Sequence, residues 1–146
     1  MRAFLWPLRA FLTAVFLLAG TIKLIDPARF QLDIRAFDLL PAAGVYLAAL
    51  FLPVLEVLAA LALWTPLRRG AAALLALLTA GFIGGLFSAL ARGIEVDCGC
   101  FGTWLVFPSI WMHLAFNSLL IVIAGLLLAA ERRSSPRRLR FTAGAA

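Results

Sequence analysis

The sequence predicts an all-α, polytopic membrane protein: a four-helix bundle with a short interfacial helix in its first outward loop. Three observations carry this reading. Of the 146 residues, 64% are apolar and 14% charged, and the mean hydropathy is +1.05; soluble domains run at about 45–50% apolar and about 25% charged. A soluble core of this length has too much surface per volume to bury so many apolar side chains. The apolar residues also fall into four runs, each close to the roughly 20 residues of helix that cross a bilayer. The charge lies between these runs: the net charge is +6, and arginine supplies 12 of the 13 basic residues. So apolar a chain is neither disordered nor a nucleic-acid-coating protein, and no nucleic acid is expected as a partner.

The first run, 8–25, is interrupted only by Arg9 and Lys23 near its ends. A basic start before an apolar stretch also suits a cleaved signal peptide, but no small-x-small site with a polar mature start follows. Lys23-Leu-Ile-Asp26-Pro27 follows instead, and the run is read as a retained span. In the loop 26–41, Asp26 suits a helix N-cap and Pro27 a first helical position. Phe30, Ile34 and Phe37 recur at helical spacing, with Arg29, Asp33 and Asp38 elsewhere on the wheel, as in a helix lying in the interface.

The second run, 42–64, carries one charge, Glu56, three residues after Pro53. The third, 71–91, has none, and Gly81, Gly84, Gly85 and Ser88 give it a small-residue face of the kind that packs helices closely. The fourth, 109–130, follows Pro108, which favours a first helical turn. Connections this short predict an up-down bundle in one membrane domain, residues 1–146, ending in a basic tail, 131–146.

Orientation follows from the basic residues of short loops. With both termini cytoplasmic, Arg2, Arg9, Arg68, Arg69, Arg132, Arg133, Arg137, Arg138 and Arg140 lie inside, nine against the four of Lys23, Arg29, Arg35 and Arg92. The expectation is a bacterial inner (cytoplasmic) membrane protein. The tail reads as a solvated topology marker, and the second outward loop, 92–104, holds both cysteines.

Cys98-Gly-Cys100 is the sharpest chemical feature. With Gly99 and Gly102 relaxing the backbone, the two can close a small ring if their Cα atoms come within roughly 4.4–6.8 Å. Exposed, strained disulfides tend to be labile or catalytic, and a compartment outside the cytoplasm permits oxidation. A structural staple is poorly motivated, because closing so short a loop removes little chain entropy. Three readings stand: a redox pair, an inert disulfide or pair of packed thiols, and a metal site.

Glu56 lies roughly 21 Å along its span from Ala42, near or somewhat below the bilayer midplane. An ionisable group there is a functional candidate by default. It reads either as a candidate proton relay or as a protonated carboxyl bonded to a neighbouring helix. His113 and Asn117 are four apart and share a helix face. His113 can modulate a thiol when protonated, complete a Cys98, Cys100, His113 metal site, for which copper(I) is the better match, or simply pack at the interface. Lys23 most simply snorkels to the outer interface, or else supplies positive charge near the thiols. No nucleotide, haem or flavin site is present in the sequence, and no cofactor is expected.

Gly20-Thr-Ile-Lys23-Leu-Ile-Asp26-Pro27-Ala-Arg-Phe30, Leu52-Pro53-Val-Leu-Glu56 and Cys98-Gly-Cys-Phe-Gly102 resemble the methylamine utilisation MauE family, a branch of the DoxX-like four-helix membrane proteins. The resemblance runs from about Pro7 to Ala130. Cys-Gly-Cys-Phe-Gly is the more specific element; Gly-x-x-Lys and Pro-x-x-Glu are shared more widely. Relatives often carry an arginine beside an asparagine or aspartate in the last helix. Here Phe116 precedes Asn117, a departure that weakens any inference about a charged partner for Glu56. The resemblance implies a role in maturing periplasmic enzymes, with methylamine dehydrogenase as the namesake client. It also implies disulfide formation or a thioredoxin-like partner.

Residues and resemblance together favour a membrane thiol–disulfide protein serving a periplasmic thioredoxin-like protein or a disulfide-containing client. A non-catalytic assembly factor and a metal-handling protein are the alternatives. Membrane disulfide generators that pass electrons to quinone use two cysteine pairs, whereas this chain has two cysteines in all, so autonomous quinone coupling is disfavoured.

Overall fold

The computed structural model describes residues 2–94 and 109–133. Five helices follow one another: α1 (Arg2–Ile25), α2 (Pro27–Ala36), α3 (Ala42–Ala62), α4 (Arg68–Ala91) and α5 (Ile110–Arg133). Four of them, all but α2, are long and apolar enough to cross a membrane. The chain is therefore a multi-pass, all-α membrane protein, as its composition requires. Helical backbone begins at Arg2 and Arg68, ahead of the apolar runs, and α5 continues to Arg133.

Local chemistry sets the boundaries. Asp26 ends α1, its N–H donating to the Ile22 carbonyl, and also starts α2, its Oδ1 accepting from the Arg29 N–H at 2.9 Å. Pro27 stands at the start of α2, where the absent N–H costs nothing. Thr65 makes the α3–α4 turn: its hydroxyl donates to the Ala62 carbonyl and accepts from the Leu67 N–H. α4 ends in a Schellman motif. Gly93, at φ +65, donates to the Leu90 carbonyl, and Ile94 donates to that of Ala89 while packing on the core.

Contacts between α1 and α3 run as antiparallel rungs. Arg9 lies over the Trp64 ring, Thr13 Oγ1 meets both Trp64 Nε1 and the Ala60 carbonyl, Gly20 faces Pro53 and Val57, and Lys23 reaches Glu56. Gly20 makes the closest approach: a methyl there would stand 2.8 Å from Val57 Cγ2 and 3.1 Å from the Pro53 carbonyl oxygen. This register puts the end of α1 about 10 Å below the start of α3, at 1.5 Å per residue. α2 fills the step. It packs on α3 and α1 with Phe30 buried, a roof over the short helix.

α4 pairs most extensively with α5, and α3 meets α4 less closely. One apolar cluster, including Leu12, Phe16, Leu63, Leu75, Ile123 and Leu127, fills the end of the bundle that holds the start of α1 and the end of α5. A smaller one, Phe37, Leu86, Ala89 and Leu114, lies beneath the roof. The small-residue face expected to pack helices does not do so. Among the described residues, a methyl at Gly81 or Gly84 would meet nothing within 4 Å, and one at Gly85 meets only the edges of Phe37 and Leu39, no nearer than 3.6 Å. Close packing falls to Gly20, whose facing residues come from another helix.

Candidate functional site

Between the two apolar clusters lies a polar layer. Its five buried polar side chains come from all four spanning helices: Lys23 from α1, Glu56 from α3, Thr79 from α4, and His113 and Asn117 from α5. All five line one cavity of about 20 Å³, closed by apolar neighbours that include Phe16, Phe82 and Phe116. A volume of this size holds about one water molecule.

Lys23 and Glu56 form its centre. Lys23 Nζ stands 2.7 Å from Glu56 Oε1 and 2.9 Å from Oε2, and the two residues are 3% and 1% exposed. Helix geometry directs the pair together. Side chains lean toward the N-terminus of their helix, so on antiparallel α1 and α3 the lysine leans into the bundle while the glutamate leans toward the roof. The expectation that Lys23 snorkels is thereby corrected. It lies beneath α2 and not at the interface, because α1 stops short of the level at which α3 begins. Glu56 is bonded to a neighbouring helix, and its partner is Lys23 of the first span.

Charge removed from water is stable only when paired and hydrogen-bonded. Both carboxylate oxygens accept from the ammonium, and the ammonium also faces two aromatic rings, Phe30 at 5.0 Å and Phe82 at 4.7 Å from their centroids. Such cation–π contacts strengthen when desolvated. Around this centre, Thr79 Oγ1 donates to the Leu75 carbonyl at 2.7 Å, and Asn117 Nδ2 donates to the His113 carbonyl at 2.8 Å. Among the described residues no buried side-chain nitrogen or oxygen lacks a hydrogen-bond partner.

The structure thus brings Lys23, Glu56, His113 and Asn117 to a single cavity, as two separate spacings in the sequence did not foretell. Cys98 and Cys100 lie outside the described residues, and with them Glu95, Asp97, Phe101, Trp104 and the Cys98, Cys100, His113 metal alternative. Sequence reasoning missed Thr79 and the two rings on Lys23. A lone threonine in an apolar helix and a phenylalanine at helical spacing both read as ordinary packing.

It also missed a second ionic cluster, at the opposite end of the bundle. Glu131 accepts from Arg9 Nη2 at 2.9 Å and from Arg68 Nε at 2.8 Å, tying α1, α4 and α5. Glu131 is therefore part of the bundle and not of a solvated tail. Beneath the roof, Arg92 donates to the Phe37 and Asp38 carbonyls, fastening the end of α4 to the end of α2.

Residues 1–130 match the family model described as methylamine utilisation protein MauE. The methylamine utilization protein MauE of Paracoccus denitrificans is 37% identical over 122 residues, which cover 82% of this chain and 66% of that protein. Its namesake from Paracoccus versutus is 35% identical over 121 residues, covering 82% and 65%. The chain thus spans just under two thirds of the length of these curated relatives. No solved structure matches it.

Proposed function

This chain belongs to the methylamine utilisation protein MauE family, and from that premise we propose that it exchanges thiol and disulfide equivalents with a thioredoxin-like partner outside the cytoplasm. The exchange serves the maturation of disulfide-containing enzymes of the methylamine dehydrogenase type. The membrane is the bacterial inner membrane, with both termini cytoplasmic. The single observation that carries the reading is the position of the cysteine pair in the chain. Cys98-Gly-Cys100 stands in the connection between α4 and α5, which departs after Ile94 and returns at Ser109, at the end of the bundle roofed by α2.

The step balances within the two proteins. A partner thiolate attacks the Cys98 sulfur of the Cys98–Cys100 disulfide, forming a mixed disulfide and releasing Cys100 as thiolate. The partner's second thiol then attacks its own bridged sulfur and frees Cys98. Two electrons pass to the cysteine pair, the partner leaves as a disulfide, and its two protons end on the released thiols. The same intermediates serve the reverse direction.

Because each exchange moves electrons and protons in equal number, the chemistry asks for no net proton from the bundle interior. The Lys23–Glu56 centre therefore supports the reaction by holding α1 and α3 together under α2, and a proton relay through Glu56 is the secondary reading. His113, one turn into α5, lines the same cavity as the ion pair.

The deciding experiment is maturation of the client enzyme in cells carrying only the Cys98→Ser/Cys100→Ser double variant. Loss of maturation, with the variant still present in the membrane, supports exchange. Full maturation overturns it and leaves the assembly-factor reading.

A further inference from the structure

A second cavity lies apart from the polar centre. It is a cleft of about 300 Å³ between α2, α3 and α4, walled by Phe30, Phe37, Leu52, Leu78, Phe82 and the glycine pair Gly81 and Gly85. We propose that this cleft binds one hydrocarbon chain of a bilayer phospholipid, with Phe30 and Phe82 as the wall that separates the chain from the Lys23 ammonium.

Its shape comes from the sequence of α4. Leu77, Gly81 and Gly85 follow one another at four-residue spacing on one face of the helix. Two of the three lack side chains, and among the described residues a methyl at Gly81 would meet nothing within 4 Å. The furrow remains open where α3 and α4 meet less closely than α4 and α5 do. Along α4 the lining runs from Leu77 to Gly85, about 12 Å at 1.5 Å per residue. That is most of the depth of one leaflet, half of a hydrocarbon core about 30 Å thick. A volume of 300 Å³ stands at the lower end of ligand pockets and suits a slender occupant.

The lining chemistry selects the chain over a polar head. Asp33 is the one charged residue in the lining, and its carboxylate lies 3.7 Å from Arg29 Nε. The ionic centre is screened by the two rings: Phe30 and Phe82 line the cleft on one side and stand 5.0 and 4.7 Å from Lys23 Nζ on the other. A molecule in the cleft thus meets hydrocarbon along most of its length. The walls of α3 and α4 belong to membrane-spanning helices, so the medium at the opening is itself lipid chain.

The test is photocrosslinking of the full-length protein in vesicles of a phosphatidylcholine that carries a diazirine within one acyl chain. Adducts are expected at Leu52, Leu78 and Phe82, several-fold above those at Leu119 and Val122, which are exposed on α5. Gly81→Leu, which fills the furrow, should reduce the cleft adducts several-fold. Gly84→Leu, equally open but outside the lining, should leave them unchanged. Should Gly81→Leu fail to assemble, Ala48→Phe fills the same cleft from α3. Cleft adducts no more frequent than those at Leu119 and Val122, or indifferent to both filling variants, overturn the proposal.

Discussion

Lys23 Nζ bridges both carboxylate oxygens of Glu56, at 2.7 and 2.9 Å, within the span region of the bundle. The pair joins the last turn of α1 to the middle of α3. It is the point at which two widely spaced motifs, Gly20-x-x-Lys23 and Pro53-x-x-Glu56, become one structural unit: Gly20 brings the helices close, and Lys23 and Glu56 lock them.

Removing one partner should cost more than removing both. Glu56→Gln leaves a buried ammonium without its counter-charge, and Lys23→Met leaves a buried carboxylate; each loss is about 3–5 kcal/mol for an uncompensated buried charge. Replacing both by apolar residues, as in Lys23→Met/Glu56→Leu, removes attraction and desolvation cost together and is often near neutral. Thermal unfolding in a fixed detergent should place the double variant nearer the wild type than either single one. Additive penalties would show that the two residues do not act as a pair.

Gly20 provides a contest between helix propensity and packing. Alanine gains about 1 kcal/mol over glycine inside a helix, while overpacking a filled site costs about 1–3 kcal/mol. The methyl of Gly20→Ala would stand 2.8 Å from Val57 Cγ2, on a stiff β-branched side chain, and 3.1 Å from a backbone oxygen. Packing should win, with a net loss of about 1 kcal/mol. Gly81→Ala, which meets nothing within 4 Å among the described residues, should be neutral or stabilising. Equal effects at the two glycines would contradict the α1–α3 register.

These two residues also show where the sequence is legible. Spans, the short helix and its Asp26 cap follow from local properties: run length, charge and spacing. The polar centre does not, because it depends on relative depth. Nothing local in Lys23-Leu-Ile-Asp26 says that α1 ends below the start of α3, and without that step a lysine near a helix end reads as an interfacial one. Glu56 is a candidate from its burial cost alone; its partner requires the register that Gly20 sets. Gly81 and Gly85 matched a packing motif, yet a motif names a face and not what lies opposite it.

The proposed orientation rests on the nine-to-four distribution of basic residues. The start of α1 and the end of α5 meet at one end of the bundle, joined through Arg9 and Glu131, which supports a common side for both termini. Labelling intact cells with a membrane-impermeant maleimide after mild reduction should modify Cys98 and Cys100, the only cysteines of the chain. Modification that appears only after lysis would reverse the orientation.

The two cysteines should not be equivalent. Exchange requires an approachable sulfur and a leaving thiolate. Cys100 is followed by Phe101 and, after two more residues, by Trp104, aromatic residues of the type that settle at the membrane interface. Cys98 is preceded by Glu95 and Asp97, which favour water. The proposed exchange accordingly takes Cys98 as the attacked sulfur and Cys100 as the resolving one. Cys100→Ser should then accumulate a mixed disulfide when the Cys98 thiolate attacks an oxidised partner, visible as a reductant-sensitive adduct on non-reducing gels, because in this reverse direction the resolving Cys100 thiol is gone. Cys98→Ser should accumulate several-fold less. A neighbouring carboxylate disfavours a thiolate by like-charge repulsion, so Glu95→Gln/Asp97→Asn should speed adduct formation through Cys98 at neutral pH without changing which cysteine is captured. Greater trapping through Cys100 in the Cys98→Ser variant would exchange the two roles.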